Sequence, residues 1–517
     1  MTVTSFFFFV FLLIGGIIYY LVPKGKGQWV VLLLMSITFY HFAAQDYTII
    51  FLLISAVISY ISGILIHKVK INNTENADKL ITVVAITSVI LNALLWFLLK
   101  GSAFWIVSSI VLHRLVPVFP VLSPLPFAGA LGMGYYTAQA IGYIMDCYWE
   151  NIEPQRNFLK LFLFVSFFPQ LTVGPISRYS QLESLYDRHS FSYKNLCFAS
   201  QRILWGLFKK LVISDRTAII ITGIWNNSDI YGGFWPWIAL FLYPLQIYTD
   251  FSGCVDIVLG AAQLFDIHLA ENFDNPFLAR NSQEFWQRWH ITLGAWARDY
   301  FYYPLLKSRF IQAIGKWARK HFPKRIAKLI PWSVGMGILW CLIGIWHGSI
   351  RHIIGVSIWY WLVLVAGEFF SPISQKLIEK LEIDVGCFSW HLFQSIRTYV
   401  IFSVAALFFA ADSLRDALKR FMFLFQSLTN LNPWIFFDGS VTNLNVTMGD
   451  INLIIFGVLM MFVVAYLRSK YGYARNWMCG QLLVFRWIVW IALFVIVLIY
   501  GLYGPGYDAA TFIYEGF

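Results

Sequence analysis

Charge is scarce in this 517-residue chain: Asp, Glu, Lys and Arg together make up 13% of it, about half the share in an ordinary soluble domain. A water-soluble globule of this size is excluded, because it would need charged side chains to cover its surface. Hydrophobic residues reach 59%, aromatics 19% and mean hydropathy +0.66, values that suit a surface facing lipid and its interfaces. The chain reads as a polytopic membrane protein. Its net charge of +11 would point to nucleic acid in a soluble protein. Here it reads as the basic bias of cytoplasmic loops, and no nucleic-acid partner is implied.

Cysteine is scarce as well. The six, at 147, 197, 254, 341, 387 and 479, form no C-x-x-C pair and lie mostly within or beside apolar runs, so neither a disulfide framework nor a cysteine metal site is expected. Also missing are H-E-x-x-H, G-x-S-x-G and phosphate-loop motifs, internal repeats, and Pro- or Ser-rich linkers. Met1 to Ser5 carry no basic residue, and the apolar run from Phe6 to Val22 ends at Pro23-Lys24-Gly25-Lys26 without a small-residue cleavage site. That run reads as a retained first span rather than a cleaved signal peptide.

What the chain has in abundance is apolar length. A helix needs about 20 apolar residues to cross roughly 30 Å of hydrocarbon. Runs near that length recur at 5–22, 28–45, 47–66, 80–99, 102–116, 126–146, 158–173, 199–222, 234–249, 253–268, 333–347, 351–370, 393–411, 450–467 and 484–503. The shorter ones, and the one broken by Pro169 and Gly174-Pro175, read as re-entrant or interfacial segments. The expectation is an all-α polytopic membrane protein with about 11–13 transmembrane helices plus re-entrant and amphipathic interfacial helices. Lys307, Arg309, Lys316, Arg319, Lys320, Lys324, Arg325 and Lys328 fall in one stretch without an acidic residue, which marks a cytoplasmic loop. Lys24, Lys26, Arg468, Lys470, Arg475 and Arg486 point the same way, and both termini then fall outside the cytoplasm.

Polar residues stand out in three places against this background. Trp346-His347-Gly348 ends the apolar run from Val334. A neutral imidazole at membrane depth is a natural general base for acyl transfer, and it also fits an interfacial histidine bonded to a helix end. Ser282 to Tyr303 reads as one amphipathic helix, with Ser282 as cap, Glu284 in the first turn and an apolar stripe of Phe285, Trp289, Leu293, Trp296 and Tyr300. His290 falls at the stripe's border beside Trp286, while Arg288 and Arg298 suit an anionic ligand or lipid headgroups. Tyr248 to Gly253 places Asp250 and a glycine break between two apolar runs, where Asp250 either orients another polar group or caps the following helix. His347 and His352 are five residues apart, a spacing that does not align them on one helical face.

Taken together, Glu271 to Phe277, Phe285 to Leu293 with Trp286, Arg288 and His290, then Trp296, Arg298-Asp299-Tyr300 and Pro304, resemble the signature of the membrane-bound O-acyltransferase (MBOAT) family, most closely its bacterial polysaccharide branch. Gly174-Pro175-Ile176 with Arg178, Asp250 to Gly253, Gly344 to Gly348 and the aromatic end Phe512 to Phe517 follow in the family's order. The resemblance implies an MBOAT fold over residues 1–517: N-terminal spans to 150, a catalytic core over 151–370 with a cytoplasmic excursion at about 271–330, and C-terminal spans over 371–517. It implies an O-acetyltransferase in a bacterial cell membrane. His347 matches the family's invariant active-site histidine, and His290 its second polar position. Arg298, Asp250, Trp346, Trp286 and Arg288 are read as substrate-binding. No metal and no bound cofactor is implied. The donor is acetyl-CoA or another acyl thioester, and the partners are membrane lipid and an extracytoplasmic transferase or polysaccharide acceptor. The rivals are D-alanyl or longer-chain acyl transfer to teichoic acid, lipid or protein, and, from a different class, a transporter or channel.

Overall fold

The computed structural model describes residues 1–22, 27–44, 46–72, 75–100, 113, 130–347, 352–436 and 438–504. Lys24, Lys26, Gly348, most of the 102–116 run and Phe512 to Phe517 lie outside the described residues. Among those described, helices make up the regular structure and no β-strand occurs. Among the described residues, seven helices are long and apolar enough to cross a membrane: Ile49–Asn72, Ala77–Leu98, Lys324–Trp346, Ile353–Lys380, Phe388–Ala410, Met448–Tyr471 and Leu483–Tyr500. The chain is an all-α, multi-pass membrane protein.

Several of the other apolar runs form shorter or interrupted helices, for local reasons. Phe6–Leu21, Gln28–Ala43 and Met133–Tyr148 are helices of 16 residues each, short of a full crossing. The 158–173 run breaks after the nine-residue helix Phe158–Ser166, where Pro169 opens a separate turn. The 199–222 run is an α-helix, Tyr193–Leu207, a π-helical stretch, Phe208–Ser214, and a second α-helix, Asp215–Asn226. The 234–249 and 253–268 runs are one helix, Trp235–Leu264. The glycine break expected at Gly253 is therefore absent. One glycine costs a helix about 1 kcal/mol relative to alanine, too little to end thirty residues, and Asp250 and Ser252 find side-chain partners without unwinding the backbone.

The chain divides into two compact units. The first comprises Met1–Leu207 with Cys254–Glu271. Its core is aromatic: Phe168 packs at 5.3 Å on Phe11, 6.5 Å on Phe8 and 6.0 Å on Phe265. Lipid is as apolar as leucine, so packing and polar bonds rather than hydrophobicity hold spans together, and Ser55 donates to Asn92 at 2.6 Å between two of them. Arg202 is clamped by Asp256 (2.9 Å) and Glu271 (2.6 Å), and this tethers Glu271 at the head of the loop that begins the signature.

The second unit comprises Phe208–Gly253 and Asn272–Ala510. Here Lys324–Trp346 and Ile353–Lys380 approach closely enough that a Cβ at Gly344 would lie 2.0 Å from Ser357 Oγ and 3.0 Å from Ile353 Cα, so any larger residue would have to displace Ser357. Two further π-helical stretches, Ala297–Tyr302 and Ile353–Ile358, lie in this unit.

Candidate active site

The single amphipathic helix expected over Ser282 to Tyr303 is broken at its centre. Asn281, rather than Ser282, caps the first piece, Ser282–Arg288, by accepting from the Glu284 N–H at 2.8 Å. Trp289 is then extended, His290 adopts left-handed dihedrals of φ 47° and ψ 51°, and a second helix runs Ile291–Trp296. The cause is long-range. The loop at Asn272 to Asp274 pairs antiparallel with the break: Asp274 N donates to Arg288 O at 2.9 Å, and Ile291 N donates to Asn272 O at 3.0 Å. Left-handed backbone is unusual for a residue with a Cβ and marks a site where surrounding contacts override local preference.

Those contacts fix His290 in detail. It is 3% exposed, with Phe251 edge-on at 4.9 Å. Asn272 Oδ1 accepts from the Thr292 N–H (3.1 Å) and the Thr292 hydroxyl (2.9 Å) and lies 3.2 Å from His290 Nδ1. A backbone N–H can only donate, so the atom facing it is the amide oxygen, and Nδ1 must carry the ring proton. His290 Nε2 is left as a buried acceptor without a hydrogen-bond partner. Burial pushes its pKa well below the ordinary value, so the ring is neutral.

Trp346 joins the two histidines. Its ring lies 6.3 Å from that of His290 and 5.1 Å from that of His347. His347 is 8% exposed, ends the Lys324–Trp346 helix and donates its backbone N–H to Ile343 O at 3.1 Å. His352, dismissed on its spacing, belongs here too: its Nδ1 is 3.1 Å from His347 O, and both rings pack on Phe409. The helix ends at Trp346, so helical spacing does not govern the pair.

Trp286 packs on Trp340 (4.9 Å) and Tyr360 (4.8 Å). Trp286 Nε1, Trp340 Nε1 and Tyr360 Oη are all buried without a hydrogen-bond partner, which is costly unless a ligand or water meets them. Neither Trp340 nor Tyr360 is distinguishable in the sequence from other aromatics in apolar runs. Arg288 pairs with Glu284 at 2.7 Å. Arg298 forms a two-point pair with Asp299, at 2.8 and 3.2 Å.

Asp250 lies mid-helix and does not cap one. Lys210 Nζ sits 2.6 Å from Asp250 and 2.9 Å from Asp215, all three nearly fully buried. Lys209 Nζ donates to Ser252 Oγ at 2.8 Å. Asp250 thus belongs to a buried ionic cluster, one residue along the chain from the Phe251 ring that packs on His290. The adjacent lysines inside the 199–222 apolar run were the signal for it, since buried lysines require partners. Among the described residues, no group of three or more His, Cys, Asp or Glu side chains is placed to hold a metal ion.

Residues 133–318 match the MBOAT, membrane-bound O-acyltransferase family. That region carries the family's domain, and the comparisons support an O-acyltransferase. It is 27% identical over 451 residues to the peptidoglycan O-acetyltransferase of Helicobacter pylori, covering 80% of this chain and 78% of that one. Identity to the probable alginate O-acetylase AlgI of Azotobacter vinelandii is 26% over 356 residues, 67% of each chain. The teichoic acid D-alanyltransferase of Bacillus subtilis is 24% identical over 297 residues, 54% of this chain and 71% of that one.

Proposed function

We propose that the protein moves an acetyl group from a cytoplasmic thioester, most simply acetyl-CoA, into the O-acetylation of an exported or cell-surface polysaccharide, working in a bacterial cell membrane. The observation that carries this reading is the pair of buried imidazoles against the Trp346 ring, in a family whose chemistry is acyl transfer to oxygen. His347 takes the proton of the acceptor hydroxyl as its oxygen attacks the thioester carbon, and returns it to the leaving thiolate. A variant in which His347 carries the acetyl group briefly differs in kinetics, ping-pong rather than ordered.

His290 has one role open to it with this tautomer. Its Nε2 offers a lone pair, so it receives a hydroxyl and not a carbonyl. It therefore positions the acceptor, and the unpartnered donors on Trp286 and Trp340 suit oxygen atoms of the substrates. Arg298 and Arg288 have carboxylate neighbours, so long-range attraction of the donor's phosphates falls to the basic stretch from Lys307 to Lys328. Asp250 acts at one remove, through the cluster behind Phe251. An extracytoplasmic transferase that receives the acetyl group is the expected partner.

The relatives include D-alanyl as well as acetyl transferases, so the donor is the point to test. Purified protein incubated with radiolabelled acyl-CoAs of increasing length should take acetyl in preference to longer chains. Preference for a long chain, or for a carrier-bound amino acid over acetyl-CoA, would replace this reading with one of its rivals.

A further inference from the structure

The basic stretch contains a built cavity as well as charge. The helix Arg309–His321 carries three kinds of residue on three flanks. Ile311, Gly315 and Ala318 are buried. Phe310 and Trp317, seven apart and so on one flank, are 58% and 51% exposed. Lys316 and Arg319 occupy the third flank. There they line a cavity of about 400 Å³ with Lys328 and Trp332 of the Lys324–Trp346 helix, floored by Leu306 and Ile311. None of the three cations forms an ion pair among the described residues, unlike Arg288 and Arg298, and the segment around them has no carboxylate.

We propose that this cavity binds the phosphate headgroup of an anionic membrane lipid. The exposed Phe310 and Trp317 flank suits the depth of the bilayer interface, where amphipathic helices lie. The cavity opens beside the first turns of a membrane-crossing helix, where a headgroup would be found. Three unpaired cations over an apolar floor match a phosphate attached to glycerol and acyl chains, since basic pockets between helices take such headgroups. A free nucleotide's phosphates would find the charge but would leave that floor without an apolar partner. The site is separate from the histidines and holds whether or not the donor is acetyl-CoA.

Each cation near an anionic lipid contributes about fivefold in affinity, so removing three should cost roughly a hundredfold. The test uses the full chain purified in neutral detergent, with short-chain phosphatidylglycerol and phosphatidylcholine as probes and binding measured by thermophoresis. The expected result is that phosphatidylglycerol binds, phosphatidylcholine does not, and Lys316→Gln with Arg319→Gln and Lys328→Gln weakens binding by more than tenfold. Arg309→Gln with Lys320→Gln and Lys324→Gln, equal in charge but outside the cavity, should leave binding within threefold. Equal losses in the two triple variants would reduce the effect to diffuse charge and overturn the site. Displacement of the lipid by stoichiometric coenzyme A would assign the cavity to the donor and overturn it equally.

Discussion

His290 is reached through left-handed backbone and clamped at Nδ1 by Asn272, whereas His347 sits at ordinary dihedrals, φ −74° and ψ −10°, at the end of a long helix. Holding a non-glycine residue in left-handed backbone costs about 1–3 kcal/mol, and the fold meets that cost to fix one ring's tautomer. His347 lies at the helix end where positive charge is favoured, and its carbonyl engages a second histidine. The difference separates two settings: one ring is locked in orientation by side-chain and backbone partners, while the other is held through the helix end and the aromatic rings around it.

The sharpest way to break the comparison is at His347. His347→Ala should reduce transfer by 10²–10⁴-fold, the usual worth of a positioned general base. Glutamine keeps the size and one hydrogen-bond function but takes no proton near pH 7, so His347→Gln should be equally inactive. Glycan O-acetyl content at matched membrane levels measures both, and more than about a third of wild-type acetylation from the glutamine variant would make His347 a helix-end residue only.

Next in size is the support behind His290. Lys210→Met strands Asp215 and Asp250 without their shared cation, and removing one partner of a buried pair costs about 3–5 kcal/mol. The melting temperature of the detergent-solubilised protein should fall sharply and recover in part when Asp250→Asn is added. A melting temperature unmoved by Lys210→Met would show that the cluster supports nothing.

Asn272→Ala releases the tautomer while leaving His290 in place. Activity should fall roughly 10- to 100-fold, as when a group that orients a functional histidine is lost. Asn272→Asp, which still accepts from Nδ1, should retain most of it. If alanine and aspartate are equally impaired in kcat and KM, orientation of His290 is not what Asn272 contributes.

The smallest effect is on pH. His290 is buried neutral, with its folded-state pKa below the ordinary 6.5, so between those values the unfolded chain binds more protons and stability rises with pH. Its contribution is complete above about pH 6.5 and is lost as pH falls below that value. The melting temperature should drop on acidification from pH 7.5 to 5.5, and by less in His290→Asn. Equal drops in the two proteins would assign the acid sensitivity to other groups.

Much of this could be read from residue order alone, and what could not was long-range. The apolar runs at 47–66 and 80–99 became spans because length and hydropathy decide insertion, and His347 fell at a helix end as its position after Val334 to Ile345 implied. The break at His290 was hidden because Phe285, Trp289 and Leu293 keep helical spacing across it. Pairing with Asn272 and Asp274, from outside the stripe, creates it. Lys209 and Lys210 looked like interruptions of an apolar run until Asp250 and Ser252, some forty residues on, supplied their partners.

Three π-helical stretches lie on these elements: Phe208–Ser214 carries Lys209 and Lys210, Ala297–Tyr302 follows the Ile291–Trp296 helix, and Ile353–Ile358 follows His352. Such a wide turn amounts to one residue added to an α-helix. Removing that residue would restore ordinary winding and shift the side chains within the turn by one position, about 100° around the axis, swinging Lys210 off Asp250 or Ser357 off Gly344. In these segments chain length is therefore as constrained as residue identity, and a one-residue deletion there would disturb the site as surely as a substitution of Lys210.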